Sequence, residues 1–218
     1  MTQQNTERCR LVLVAPEGQY GNDFAGVLET ALRAGDVASV ILPAYGLDEA
    51  AYQRHLEINV TIAQNHDAAA IAVNDTRAFG RSRADGLHAD GGVADIGAAI
   101  EKFASNAIVG AGGAETRHRA LEIGELQPDY VFFGRFGQDT FPDPHRKNVA
   151  LADWWAGMVE IPCILMGGGA LDSLDQAAAT GAEFVALSRA VFGPGVDPHA
   201  AVVQANGVLE QHLLGEGA

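Results

Sequence analysis

The chain has 218 residues, the size of one barrel-like domain, and 48% of them are apolar, enough to bury a real core. Its net charge of -14 excludes a nucleic-acid partner, which needs a basic face, but leaves room for small phosphorylated metabolites held by a few amides and cations. The two cysteines, Cys9 and Cys163, form no disulfide framework and no zinc-type spacing, and the polar start MTQQNTERCR and lack of a long apolar run point to a cytoplasmic protein with no membrane partner.

Residues 10–15 are a continuous apolar run of the kind buried on both faces of a strand. Asn22 or Asp23 is a candidate cap for a helix reaching Ala34, with Gly35 ending it. Residues 37–42 form a second strand stopped by Pro43, and residues 48–65 repeat apolar side chains at helical spacing. A third strand at 68–73 ends in Asn74-Asp75, and a short helical piece at 77–83 leads to a strand at 85–88. Helix 96–104, strand 107–109, helix 115–124 and strand 129–133 follow, then a polar, Pro-containing loop over 136–148 and a helix at 151–159. Strand 161–166 runs into Gly167, Gly168 and Gly169, helix 171–180 ends at Gly181, and strand 183–187 ends in Ser188-Arg189. Residues 198–214 make a last helix, and residues 1–9 read as a flexible extension.

Eight strands alternating with helices imply parallel pairing and right-handed crossovers, hence a single-domain (β/α)8 TIM barrel. The open-sheet rival lacks a Gly-x-Gly-x-x-Gly turn after its first strand. The polar clusters follow strands: Asn74-Asp75, Asp85 with His88 and Asp90, residues 110–113, Gly134-Arg135, the Gly triplet and Ser188-Arg189. In a barrel this gathers them on the C-terminal rim. The turns after the last two strands, the Gly triplet and Ser188-Arg189, lie where such barrels commonly form a phosphate site from backbone N–H groups and a short helix N-terminus. The plainer alternative is that the glycines only make tight turns.

The motifs Ala70-Ile-Ala-Val-Asn-Asp75, Ala84-Asp-Gly-Leu-His88, Ile108-Val-Gly110 and Pro128-Asp-Tyr-Val-Phe-Phe-Gly134 come in an ordered set with Ile161-Pro162, the Gly triplet and residues 181–189. Together they resemble the thiamine phosphate synthase and thiazole tautomerase family, over residues 10–193. The resemblance implies Mg²⁺-assisted joining of an aminopyrimidine methyl diphosphate to a thiazole phosphate, with diphosphate released. It implies Asp75 as a magnesium ligand; the family's second metal-binding Asp is missing, and Asp90 or Asp95 is the candidate substitute. Asn74, His88 and Lys147 become the catalytic candidates, Asn74 and Lys147 toward diphosphate. Gly168, Gly169, Ser188 and Arg189 would hold the thiazole phosphate.

Departures from the family pattern fall at the diphosphate end. A Gln-x-Arg-x-x-Lys-like pattern after the second strand is replaced by Ile41-Leu-Pro-Ala-Tyr-Gly46, without a cation. Leu-Gly-Gln and a metal-binding Asp give way to Ala89-Asp-Gly-Gly-Val93, leaving Asp90 or Asp95 out of register. A Thr-x-Thr-Lys loop becomes Gln138-Asp-Thr-Phe-Pro-Asp-Pro-His-Arg-Lys147. Two alternatives therefore stand: a tautomerase-like isomerase using His88 or His118, and a non-catalytic binder of a phosphorylated metabolite. Plainer readings also stand, with Asp75 as a helix cap, His88 as a packed residue, and Trp154-Trp155 as outer packing or a contact in a homodimer.

Overall fold

The computed structural model describes residues 8–215, and eight parallel strands close on themselves in chain order within it. They are β1 (Arg10–Val14), β2 (Ser39–Leu42), β3 (Ala69–Val73), β4 (Gly86–Ala89), β5 (Ile108–Ala111), β6 (Tyr130–Phe133), β7 (Cys163–Met166) and β8 (Phe184–Leu187). The seal is the β1–β8 pairing, with Leu11 opposite Val185 and Leu13 opposite Leu187. Around this ring lie α1 (Gly21–Leu32), α2 (Glu49–Gln64), α3 (Thr76–Ser82), α4 (Val93–Phe103), α5 (Arg117–Gly124) and α6 (Arg146–Ala156). A 3-10 turn (Leu171–Ser173) precedes α7 (Leu174–Ala178), then come α8 (Arg189–Phe192) and α9 (Pro198–Gly215). This is the (β/α)8 barrel expected from the strand and helix alternation.

Strand alternation sends one set of side chains inward and the other out beneath the helices. Val12, Val14, Ile41, Ile71, Val73, Tyr130, Phe132, Ile164 and Met166 fill the barrel, while residues such as Leu11, Leu13, Leu87 and Val131 join the helix-facing layer. Large and small residues are matched across the interior. A Cβ on Gly110 would fall 1.9 Å from the Tyr130 ring, and one on Gly86 would fall 2.7 Å from Ile71. Trp155 is fully buried in the outer layer, its ring edge-on to Phe133 and its Nε1–H donating to the Ile161 carbonyl at 2.7 Å. Packing therefore explains this half of the tryptophan pair.

At the opposite end from the rim, one device recurs. Asp85, Asp129 and Glu183, each just before an even-numbered strand, accept the N–H of Ala70, Val109 and Cys163 on the preceding strand, at 2.7, 2.6 and 2.8 Å. These carboxylates satisfy strand donors at the barrel floor. Asp85 thus leaves the rim cluster in which sequence reading placed it, because it precedes β4 rather than following it.

Other boundaries also moved. Tyr20, not Asn22 or Asp23, is the N-cap residue of α1, and the Gly21 N–H donates instead to Nδ1 of His55 on α2, at 3.0 Å. Helix α6 begins at Arg146, so Lys147 stands in a first helical turn rather than in a loop. The expected extension, residues 1–9, lies outside the described residues as far as position 7. Arg8 is pinned by Asp36 and Glu210, at 2.7 and 2.6 Å, and Cys9 is packed against the core. Burial, with Glu183 nearby, pushes the Cys9 thiol up to about 12, and burial likewise raises Cys163, so neither supplies a thiolate.

Candidate functional site at the C-terminal rim

Residues after β3 and β4 are joined side chain to main chain. Asn74 adopts a left-handed backbone, φ 59°, which Asn tolerates better than most residues. Its N–H donates to the His88 carbonyl at 2.9 Å, and its Oδ1 accepts the Asp90 N–H at 2.7 Å. Asp75 is next in the chain and caps α3, its Oδ1 accepting from the N–H groups of Arg77 and Ala78, both at 2.9 Å. The capping reading of Asp75 is what the geometry contains, and Oδ2 takes no part in those two bonds. Asn74, Asp75 and Arg77 line a shallow cleft of about 480 Å³ that Ala44, Leu47 and Tyr52 complete.

Asp90 lies over Gly112 and Gly113, where an added Cβ would approach its carboxylate to 3.2 and 3.3 Å. Partial withdrawal from solvent raises the Asp90 pKa, the Arg135 guanidinium lowers it, and Glu115 raises it again. Arg135 and Glu115 form an exposed ion pair, holding the Glu115 carboxyl low and the Arg135 guanidinium high. Asp95 belongs elsewhere, since its carboxylate accepts the Gly92 N–H at the start of α4.

His88 points into the barrel. It is 1% exposed, stacks on Tyr130, and shares a 3.1 Å hydrogen bond between Nδ1 and the Tyr130 hydroxyl. Phe132 and Phe136 close over its other edges. Burial pushes its pKa down to about 3, so the ring is neutral at neutral pH. His118, the other imidazole considered for acid–base work, is 86% exposed on α5 beside Glu122.

Gly168, Gly169, Ser188 and Arg189 do converge, because consecutive turns of a parallel barrel sit side by side. The space before them is filled by the loop of residues 136–145. The Gly169 N–H donates to the Phe141 carbonyl at 2.7 Å, the Ala170 N–H and Ser173 Oγ donate to the Pro142 carbonyl at 3.3 and 2.9 Å, and the Arg189 N–H donates to Asp139 Oδ2 at 2.6 Å. A Cβ at Gly168 would stand 1.9 Å from the Pro142 oxygen, so glycine there is what lets the loop lie down. Farther along the mouth, Gly137 packs on the half-buried Tyr45, whose hydroxyl donates to the Ala15 carbonyl at 2.9 Å. Tyr45 therefore fills the place after β2 where the family pattern carries cations.

A second cleft, about 590 Å³, opens between the turns after β5, β6 and β7. Arg135, His145, Arg146 and Lys147 line it, with the carboxylates of Glu115, Asp139 and Asp143 and the Gly167 turn. The first turn of α6 puts Arg146 and Lys147 there, and no side chain caps that helix start. The arrangement offers cations and free helix amides to an anion. Sequence reading found Lys147 and Arg135, but not Asp139, Tyr45 or Tyr130, whose partners lie 50, 30 and 42 residues away and carry no local pattern.

Among the described residues no group of three or more His, Cys, Asp or Glu side chains is arranged to hold a metal ion. Magnesium asks less of a protein, often one or two carboxylates with waters and substrate phosphates. Asp75, with Oδ2 outside its cap bonds, and Asp90, tied to it through Asn74, fit that donor set.

A family model described as thiamine monophosphate synthase matches residues 11–191. A thiamine-phosphate synthase of Rhodospirillum centenum is 33% identical over 206 residues, 92% of this chain and 98% of that one. One from Erythrobacter litoralis is 34% identical over 189 residues, covering 84% and 88%. Among solved structures, thiamine phosphate pyrophosphorylase from Pyrococcus furiosus superposes with a TM-score of 0.79 at 19% identity, over 95% of this chain and 98% of that one. The chain belongs to the thiamine monophosphate synthase family.

Proposed function

We propose that this family member is a thiamine phosphate synthase-like transferase acting on small phosphorylated substrates. The thiazole nitrogen attacks the pyrimidine methylene carbon, the carbon–oxygen bond to diphosphate breaks, and diphosphate leaves with the bonding pair. The observation that carries the reading is the 590 Å³ rim cleft, where Arg135, Arg146 and Lys147 stand together beside Glu115, Asp139 and Asp143.

The reaction suits these residues. The attacking ring nitrogen has a free lone pair and no proton to lose, so a sealed, neutral His88 is compatible with turnover. What the step requires is stabilisation of charge growing on the departing diphosphate. Arg146 and Lys147 offer it in place of the missing cations after β2, and the α6 amides add their dipoles. Asn74 positions the β3 and β4 turns relative to each other through its bond to Asp90. Asp75 and Asp90 are the residues that would hold Mg²⁺, which when bound would neutralise diphosphate oxygens.

The test is thiamine phosphate formation from the two substrates, with and without Mg²⁺. Turnover that ends on chelation supports the transferase. Absence of turnover at every Mg²⁺ concentration, with both substrates shown to bind, overturns it.

A further inference from the structure

Five contacts, four hydrogen bonds and the packing of Gly137 on Tyr45, tie one loop down across the rim. Residues 136–145 leave β6, cross to Tyr45 at the β2 end, return over the Gly triplet and enter α6. On the way the loop places oxygens on two of the groups assigned to phosphate from the sequence, the Gly169 and Arg189 N–H groups, and on the neighbouring Ala170 N–H. The Phe141 carbonyl takes the Gly169 N–H, the Pro142 carbonyl takes the Ala170 N–H, and the Asp139 carboxylate takes the Arg189 N–H. The last is the shortest at 2.6 Å, and its acceptor is a carboxylate, which bonds a donor more strongly than a neutral carbonyl does. Asp139 is only 8% exposed, an unusual place for a carboxylate that makes no ion pair among the described residues.

We propose that this loop is an autoinhibitory strap, and that Asp139 is an internal mimic of phosphate that must leave before a phosphorylated ligand can enter. The idea rests on the proposed phosphate role of the Gly168, Gly169, Ser188 and Arg189 turns. The mimicry is chemical: an anionic oxygen from Asp139 and two carbonyl oxygens supply the acceptors that a phosphate would bring, so strap and ligand compete for the same donors. The strap is also built to lift. Gly134 (φ 153°) just precedes the strap and Gly137 (φ 74°) lies within it, and glycine's wider backbone freedom makes them its pivot points. Pro142 and Pro144 stiffen the half lying on the triplet. Closure costs apparent affinity, since a ligand binding only the open form is weakened by the fraction of time the strap is open.

Inorganic phosphate is the probe. Its affinity is measured by calorimetry for the full chain, for Asp139→Asn and for Asp139→Ser, with amide hydrogen exchange followed over residues 136–145 and 167–170. Both variants are expected to bind phosphate about tenfold tighter or more, and phosphate is expected to speed exchange across the strap in the unaltered chain. That second readout needs no substitution, so a poorly folding variant does not blunt the test. Equal affinity in all three proteins, with strap exchange unmoved by phosphate, overturns the strap. If exchange shows the strap released in the variants and none binds phosphate, these turns are not an anion site, and the phosphate end of the proposed function fails too. Thiamine phosphate formation by the unaltered chain with no effect of phosphate on the strap sinks the strap alone.

Discussion

Asp75 carries two duties that a single substitution can separate. Its Oδ1 caps α3 through the N–H groups of Arg77 and Ala78, both at 2.9 Å, while magnesium binding would draw on its negative charge. Asp75→Ala removes both. Loss of the cap costs about 1 kcal/mol, or roughly 2–4 °C in Tm for a chain of this size. Asp75→Asn keeps a carbonyl oxygen in the same place, and Asn caps about as well as Asp. Only the charge at the helix start is lost, worth less than about 1 kcal/mol. The transition-state contribution of that charge is larger, on the order of 3 kcal/mol or a hundredfold in rate. Asp75→Asn should therefore melt within about 2 °C of the unaltered chain and lose about a hundredfold in thiamine phosphate formation, part of it recovered as Mg²⁺ is raised. Circular dichroism melts and the coupled-substrate assay measure the two effects on the same preparations. Full turnover in Asp75→Asn, with loss only in Asp75→Ala, would show that Asp75 serves as a cap alone.

Lys147→Ala should lower kcat/KM by about tenfold, the loss of one hydrogen bond to a charged group, while Tm stays put; unchanged kinetics would remove Lys147 from the diphosphate contacts. For His88, the sign of the pH effect follows from its depressed pKa. An unfolded imidazole takes a proton near 6.5 and the buried one only near 3, so the unfolded state binds more protons and stability falls as pH drops through that window. His88→Gln should flatten the pH dependence of urea unfolding by up to about 1.4 kcal/mol per pH unit, and parallel curves would refute the buried, neutral state. Two glycines should respond with opposite signs. Gly110→Ala drives a methyl into Tyr130 and should cost about 1–3 kcal/mol or more, whereas Gly207→Ala, with nothing within 4 Å on α9, should gain roughly 0.5–1 kcal/mol; thermal melts read both.

The barrel was legible because parallel strands buried on both faces leave continuous apolar runs, and each was punctuated by a glycine, proline or polar turn. The acids before β4, β6 and β8 were visible as residues but not as a device. Asp85 looked like a rim group because Ala84-Asp-Gly-Leu-His88 reads as one motif. In the fold its two ends lie on opposite faces of the barrel, with Asp85 on the floor and His88 near the mouth. Its place at a strand end left His88 open to either a packed or a ligand-facing role, and the aromatic cover that seals it comes from Tyr130, Phe132 and Phe136 on another strand and its following turn.

The strap was illegible for a deeper reason. Three of its anchors are long-range bonds between a loop oxygen and a backbone amide, and backbone amides carry no sequence. The Gly triplet announces an open approach to a backbone, and sequence reading filled that approach with a phosphate. In the fold it is the Pro142 oxygen that takes advantage of Gly168. The same glycines serve either occupant, so the choice between them is a competition in free energy rather than a property of the motif. The altered 138–147 segment belongs in that light: where the family pattern has a Thr-x-Thr-Lys loop, this chain carries a carboxylate that reaches the Arg189 amide and moves its cations into the first turn of α6.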